Sequence, residues 1–367
     1  MEGTGSRRDM TAFVAALSSF MISVITTPAV AGVARRFGVV DTPGIKERKT
    51  HRKTTPLWGG AAIFLAFALV ILVVLAIGLF PSVLVGRGPV LGMILGGAIL
   101  VVGGLLDDRY DLAPGVQFAF MSFASIVVVA SGVGIGSVRS PFGGYIPLDQ
   151  FTVPFMVFGH AACLVLPGDL LAFVWILGLS MTTKVLDGLD GLVAGITVIA
   201  GALIVAVALR PELDQPDVAL LAAVTAGAFA GFLVWNLHPA KVFLGQAGST
   251  LAGFLIASLA IVSGSKVATT MLVLGVPVID LAIVIVGRIR AGRKPFSGDT
   301  SHLHYRLLAA GLSERDAVLL MYAFALAFGL IGLIASTGAK AAAFLVLAGI
   351  LLLGSRVLNN RGNRYRE

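Results

Sequence analysis

Four clusters of ionisable side chains interrupt an otherwise apolar chain, and their types are those of phosphate and metal chemistry. Asp187 and Asp190 stand in KVLDGLDGL, Asp107 and Asp108 in GGLLDDRYDL, Asn236, His238, Lys241 and Gln246 in NLHPAKVFLGQAGS, and His302 and His304 in GDTSHLHYRL. Adjacent acids repel each other unless a cation sits between them, and Mg²⁺ is usually held by one or two carboxylates together with substrate phosphate oxygens. Asp107 and Asp108 are therefore candidate metal ligands; the plain alternative is a solvated helix end with Arg109 as partner. Asp187 and Asp190 share a face if their segment is helical, and Gly188 and Gly191 allow close backbone approach; the same residues also suit a simple turn.

Lys241 offers a point charge for phosphate, and GQAGS can open a helix whose free N–H groups face an anion, unless it is only a glycine-rich connector. His302 and His304 are two apart, a spacing that shares one face of a strand and not of a helix, so an extended loop aiming both at a ligand is expected. Either imidazole could bind phosphate or carry a proton; two solvated loop histidines are the competing reading.

The elements that must position these groups are membrane helices. The 367 residues are 57% hydrophobic and 13% charged, with a mean hydropathy of +0.97, which excludes an ordinary soluble domain and a disordered chain. An apolar span needs about 20 residues. Eleven candidate spans run over 10–33, 58–80, 89–106, 116–134, 170–186, 189–209, 217–236, 248–264, 268–288, 316–337 and 340–355. The expected fold is an all-α polytopic bundle, a single domain over 1–367 with no internal repeat.

Of the 27 Lys and Arg, all but Arg7, Arg8, Arg87, Arg139, Arg210, Lys266 and Lys340 fall in one set of alternate loops. Cytoplasmic loops carry such an excess, which puts the N-terminus outside and the C-terminus in the cytoplasm. All four clusters then lie on the cytoplasmic face, although they played no part in placing the spans. The formal charge of +8 fits anionic lipid headgroups and a phosphorylated substrate, and no nucleic-acid partner is expected.

A single cysteine, Cys163, excludes an intramolecular disulfide and a cysteine-rich metal site. Residues 10–33 read as a retained anchor, since no small-residue cleavage site follows so long an apolar run. Residues 35–57 form a basic loop broken by Pro43 and Pro56, with Lys49 and His51 within it, and 135–170 suit a short hairpin or a re-entrant piece.

In order, VDTPGIKERKTHRKTTPLWGG, LLDDRYDLAP, SPFGGYIPL, VLDGLDGLVAG, NLHPAKVFLGQAGS and GRKPFSGDTSHLHYRLLAAGLS resemble the signposts of the polyprenyl-phosphate N-acetylhexosamine-1-phosphate transferases, the glycosyltransferase family 4 membrane enzymes, over roughly residues 38–313. PFGG, HPAKVF and HLHYRLLAAGLS are similar to the undecaprenyl-phosphate N-acetylglucosamine-1-phosphate transferase branch. The muramoyl-pentapeptide branch would show a PTMGG-like turn and three consecutive histidines.

The resemblance implies transfer of a sugar-1-phosphate, N-acetylglucosamine in this branch, from a UDP-N-acetylhexosamine to undecaprenyl or decaprenyl phosphate. UMP is released, and a cell-envelope polysaccharide is started. It implies Mg²⁺, with Mn²⁺ as a substitute, and a multi-pass protein of the inner (plasma) membrane with a cytoplasmic active site; a homodimer is allowed for.

By resemblance Asp107, Asp108, Asp187 and Asp190 are catalytic. Lys49, His51, Lys184, Asn236, Lys241, His302 and His304 bind substrate, and Asp107, Asp108 and position 246 hold the metal. The chain departs from the pattern at Gln246, where the family has aspartate in GDxGS, at Met181 and Lys184, where it has asparagines, at Gln117 for a lysine, and at Tyr305 for the last histidine. An amide oxygen is a poorer Mg²⁺ ligand than a carboxylate, and Lys184 could pair with phosphate in a cation's place.

Two other readings use the same residues. Gln246 favours a catalytically impaired homologue that binds polyprenyl phosphate or a nucleotide sugar. Charges inside a polytopic bundle can also mark a transporter, though acids gathered at one face argue against that. Reporter fusions after Lys53, Asp190, Gly245 and Arg293 are expected to report cytoplasm and one after Leu148 the outside. An outside signal from any of the first four would break the single-face assignment.

Overall fold

The computed structural model describes every residue except 1, 43–53, 82–83, 141–142, 158–159, 265–266, 294–300 and 365–367. Lys49 and His51 lie outside the described residues. The chain runs as α1 (Glu2–Arg36), β1 (Val40–Asp41), β2 (Thr55–Pro56), α2 (Gly59–Ala76), α3 (Arg87–Tyr110) and α4 (Pro114–Ala130). The strands β3 (Ser137–Arg139), β4 (Tyr145–Pro147), β5 (Phe151–Val157) and β6 (His160–Leu166) follow. Then come α5 (Gly168–Leu186), α6 (Leu192–Ala208), α7 (Pro216–Asn236), α8 (Gly245–Val262), α9 (Val267–Val273), α10 (Gly275–Arg290), α11 (Leu303–Ala309), α12 (Glu314–Ile334) and α13 (Thr337–Arg364).

Ten of the eleven expected spans each coincide with one helix of this all-α membrane bundle, and the span expected over 268–288 is divided between α9 and α10. Among the described residues, eight helices are long and apolar enough to cross a membrane, and α9 with α10, bent by 77°, makes a ninth if the pair is one span. α4 and α6 have 17 residues each. At 1.5 Å per residue they reach roughly 26 Å, somewhat short of a hydrocarbon core about 30 Å thick. Local sequence sets the starts: proline stands first in α4 and α7, where its missing N–H costs nothing, and the Ser313 hydroxyl accepts from the Asp316 amide at 3.2 Å to cap α12.

The segment expected to be a hairpin or re-entrant piece forms two antiparallel hairpins, β3–β4 and β5–β6. The second pairs Phe151 with Leu166 through Val157 with His160. Both lie between the end of α4 and the start of α5, so they occupy the end of the bundle opposite the acids.

α8 is the central post, with 89% of its apolar window buried, and it packs against α2, α3, α5 and α6. Glycine permits these approaches. A Cβ on Gly60 would sit 2.1 Å from the Gly248 nitrogen, and one on Gly104 would sit 2.3 Å from Ala247 backbone atoms. Filling a contact that has no space costs about 1–3 kcal/mol or more. Gly60→Val and Gly104→Val should therefore lower the detergent melting temperature sharply, whereas Gly178→Ala, where a Cβ meets nothing within 4 Å, should leave it near the parent's. Equal melting of all three would contradict the packing described.

Candidate active site

Asp107 and Asp108 occupy the last turn of α3, where successive side chains diverge by about 100° around the helix. Asp107 turns toward α4 and α5. Its Oδ1 accepts from the Leu112 amide at 2.9 Å and from Gln117 Nε2 at 2.6 Å, while the Gln117 Oε1 accepts from the Lys184 ammonium. A partly buried chain thus links Asp107, Gln117 and Lys184, whose partner in the sequence reading was a phosphate. Arg109 lies instead over the Tyr110 ring.

Asp108 turns toward α8. Its Oδ1 accepts from the Gln246 amide at 3.0 Å, so the first turn of α8 does face an anion, and that anion is the protein's own carboxylate. Gly245 stands at φ +68°, and a Cβ there would meet Asp108 Oδ2 at 2.3 Å, so glycine is needed both for the backbone and for the carboxylate. Asp108 Oδ2 and Gln246 Oε1 are buried without a hydrogen-bond partner among the described residues. Two orphaned oxygens at one helix start are what a hard cation or a hydrogen-donating ligand satisfies.

The segment DGLDG is a turn, not a helix, so the shared helical face considered for its carboxylates does not form. Asp187 is the C-cap of α5, and Asp190 belongs to the turn that Gly191 closes at φ +79°. The two carboxylates part company. Asp190 Oδ2 is held by the Ala240 amide at 2.9 Å and by His238 Nδ1 at 3.0 Å, and His238 Nδ1 also lies 3.0 Å from Glu314 on α12. The ligand atoms of Asp190, His238 and Glu314 all fall within 4.8 Å of one another, a grouping a cation could also use.

Asp187 remains toward the acids of α3. The mass of surrounding protein, and then the like charges of Asp108 and Asp190, raise its carboxyl above the usual carboxylate range. Its side chain reaches solvent, and that limits the rise.

Asn236 is spent on architecture. Its Oδ1 accepts from the Gly191 amide at 3.1 Å and its Nδ2 donates to the Val242 carbonyl at 3.0 Å, tying the DGLDG turn to the loop before α8. Lys241 is exposed, its ammonium 5.4 Å from the centre of the Trp235 ring. Neither side chain shows a group aimed at the acids.

The expected extended loop for HLHY is corrected. His302 is the N-cap of α11 and His304 lies in its first turn. The cap residue keeps extended backbone, φ −69° and ψ 152°, so the two rings still come parallel, 9° apart in plane with centres 6.0 Å apart. Asp280 on α10 fixes this start: Oδ2 lies 2.9 Å from His302 Nδ1, Oδ1 accepts from the Leu303 amide at 2.9 Å, and Arg306 Nη2 is 3.6 Å away. His304 is 1% exposed, with neither ring nitrogen partnered among the described residues. A Cβ on Gly188 would lie 2.4 Å from its Nε2, which brings the imidazole directly against the DGLDG turn.

Asp280, Glu314 and the pairing role of His238 were not found by reading the sequence. The available signal was an acid inside the apolar run VIDLAIVIV, since such residues in spans are costly and usually functional.

The glycosyl transferase family 4 model matches residues 90–264. The chain is 33% identical over 324 residues to a probable undecaprenyl-phosphate N-acetylglucosaminyl 1-phosphate transferase of Bacillus subtilis, covering 86% of this chain and 83% of that protein. It is 31% identical over 382 residues to a decaprenyl-phosphate N-acetylglucosaminephosphotransferase of Mycobacterium tuberculosis, covering 96% and 90%. An undecaprenyl-phosphate alpha-N-acetylglucosaminyl 1-phosphate transferase of Yersinia pestis is 28% identical over 315 residues, 82% and 78%.

Burial pushes the His304 imidazole down to about 4, against the pull of Asp280. It is neutral near pH 7, a hydrogen-bond donor and acceptor with no charge. Because its folded value lies below the unfolded 6.5, the stability tied to the neutral ring is complete above pH 6.5 and is lost as pH falls toward 4. The melting temperature should drop over that window more steeply in the parent than in His304→Gln; parallel profiles would contradict the buried neutral ring.

Proposed function

The chain belongs to glycosyl transferase family 4, and from that membership we propose that it transfers N-acetylglucosamine-1-phosphate from UDP-N-acetylglucosamine to a polyprenyl phosphate, releasing UMP and starting a cell-envelope polysaccharide. The observation that carries the reading is the convergence of Asp108, Asp187 and His304 at one end of the bundle. Asp108 Oδ2 and both His304 ring nitrogens have no partner among the described residues. The relatives' printed names supply the acceptor class and the transferred group. The charge asymmetry of the loops supports a cytoplasmic site in the plasma membrane, where nucleotide sugars are available.

In the reaction an oxygen of the lipid phosphate forms a bond to the β-phosphorus of the UDP-sugar. The bond from that phosphorus to the bridging oxygen breaks, and the electron pair leaves with UMP. Two anions must meet, so the protein has to hold charge where they would repel. Asp108 Oδ2 and Gln246 Oε1 are the oxygen donors that would hold a divalent cation, and that cation would supply charge neutralisation at the pyrophosphate. Neutral His304 donates an N–H to a phosphate oxygen without adding charge. Asp187, its carboxyl above the usual carboxylate range, can take the remaining proton of the lipid phosphate. Asp190, Asn236 and Asp280 set the backbone on which these groups stand.

Gln246 favours a second reading, a homologue that binds the lipid phosphate or nucleotide sugar without turnover. Purified protein given labelled UDP-N-acetylglucosamine, UDP-N-acetylgalactosamine, Mg²⁺ and undecaprenyl phosphate separates the two: UMP release with the first sugar supports the transferase, and tight binding with no release supports the binding homologue. Asp108→Asn and Asp187→Asn should each lower UMP release by about a hundredfold or more in folded protein, as for loss of a charge-organising group. Near-parental turnover in either would remove that residue from the site.

A further inference from the structure

The carboxylates of DGLDG stand on a turn that joins two helices with little contact of their own: α5 packs against α8 and α4, and α6 against α7 and α12. The turn must therefore be held from outside. Gly191, at φ +79°, is gripped at both its polar groups: its amide donates to Asn236 Oδ1 at 3.1 Å, and its carbonyl accepts from the Tyr322 hydroxyl at 2.6 Å. The same carbonyl accepts from the Gly195 amide at 2.8 Å, so both lone pairs of that oxygen are used. Tyr322 lies 131 residues away, in the apolar run VLLMYAFALAFGL of α12.

Room for the phenol is made on α6. A Cβ on Gly195 would lie 2.0 Å from the hydroxyl oxygen and 2.1 Å from the carbon that bears it. Phenylalanine would serve packing alone in so apolar a run, and a tie that only bound α12 to α6 could be made at any level of the two helices. This one is made to the residue that follows Asp190. We infer that Tyr322 is a positioning residue for the transfer: by holding the Gly191 carbonyl it sets the pitch of the DGLDG turn, and with it the direction in which Asp187 presents its carboxylate to the lipid phosphate. The phenol acts through the peptide and not on the substrate. The inference rests on the transferase reading above and deepens it.

The test is Tyr322→Phe in the intact protein in detergent, which keeps the ring and removes the donor. Its kcat for UMP release should fall by about tenfold or more, with KM for UDP-N-acetylglucosamine and for undecaprenyl phosphate within about twofold of the parent, since a misdirected group is missed only in the transition state. Amide hydrogen exchange read by mass spectrometry over 187–192 should quicken by about fivefold or more, the scale of one hydrogen bond, while the Gln246 amide exchanges as in the parent. Tyr322→4-aminophenylalanine restores a donor at the same place and should recover most of both.

Parental kcat in Tyr322→Phe, or exchange over 187–192 unchanged from the parent, overturns the inference. So does a fall in kcat that the amino variant does not recover. If Tyr322→Phe does not fold, Tyr322→4-methylphenylalanine, which fills the oxygen's space without a donor, replaces it under the same criteria. Turnover fails separately: no UMP release from the parent would overturn the transferase reading, and the hold of Tyr322 on the turn then stands or falls on the exchange readings.

Discussion

The hydrogen bond from the Gln246 amide to Asp108 is the contact on which the rest of the site depends, because it joins the end of α3 to the start of the central helix α8. A carboxylate surrounded by apolar helices needs a compensating dipole, and the free N–H groups of a helix start provide one. Gly245 leaves the room, Gly60 and Gly104 let the neighbouring backbones close in, and the loop before α8 pairs with the start of α2 through Gly59 and Gly60. With that end fixed, Asp107 is directed at Gln117 and Lys184, and the DGLDG turn is held over the same floor by Asn236.

Electrostatic satisfaction then sorts the polar residues into two kinds. Asp190, Asn236, Asp280 and Glu314 each have a side-chain oxygen engaged by a protein group, and what they do is hold backbone and imidazoles in place. Asp108, Gln246 and His304 keep buried polar atoms without partners among the described residues. Such atoms cost free energy in a finished fold, and they concentrate where a ligand completes them.

The spans were legible because hydrocarbon imposes a long apolar run on each helix, and that constraint is written residue by residue. The four polar clusters were legible for the converse reason: acids and imidazoles stand out against such runs. Tertiary direction was not. That Asp187 and Asp190 diverge depends on a turn whose partners, Asn236 and His238, lie about fifty residues away in sequence. The start of α11 at His302 is set by Asp280 on another helix, which no local pattern in HLHY reveals. The contact between Lys184 and Gln117 brings together residues from α5 and α4, so two apparent losses in sequence become one bonded pair in space.

The crossing of α2, α3 and α8 leaves no slack, since a single added carbon at Gly60 or Gly104 would overlap backbone. The acid floor is consequently an anvil, built on three backbones already in contact. The histidines stand on a different support, carried by short α11 and held by α10, the second limb of a helix pair bent by 77°. The site is thus carried on two separate supports, and the place of the imidazoles over the DGLDG turn depends on what α10 does for the start of α11.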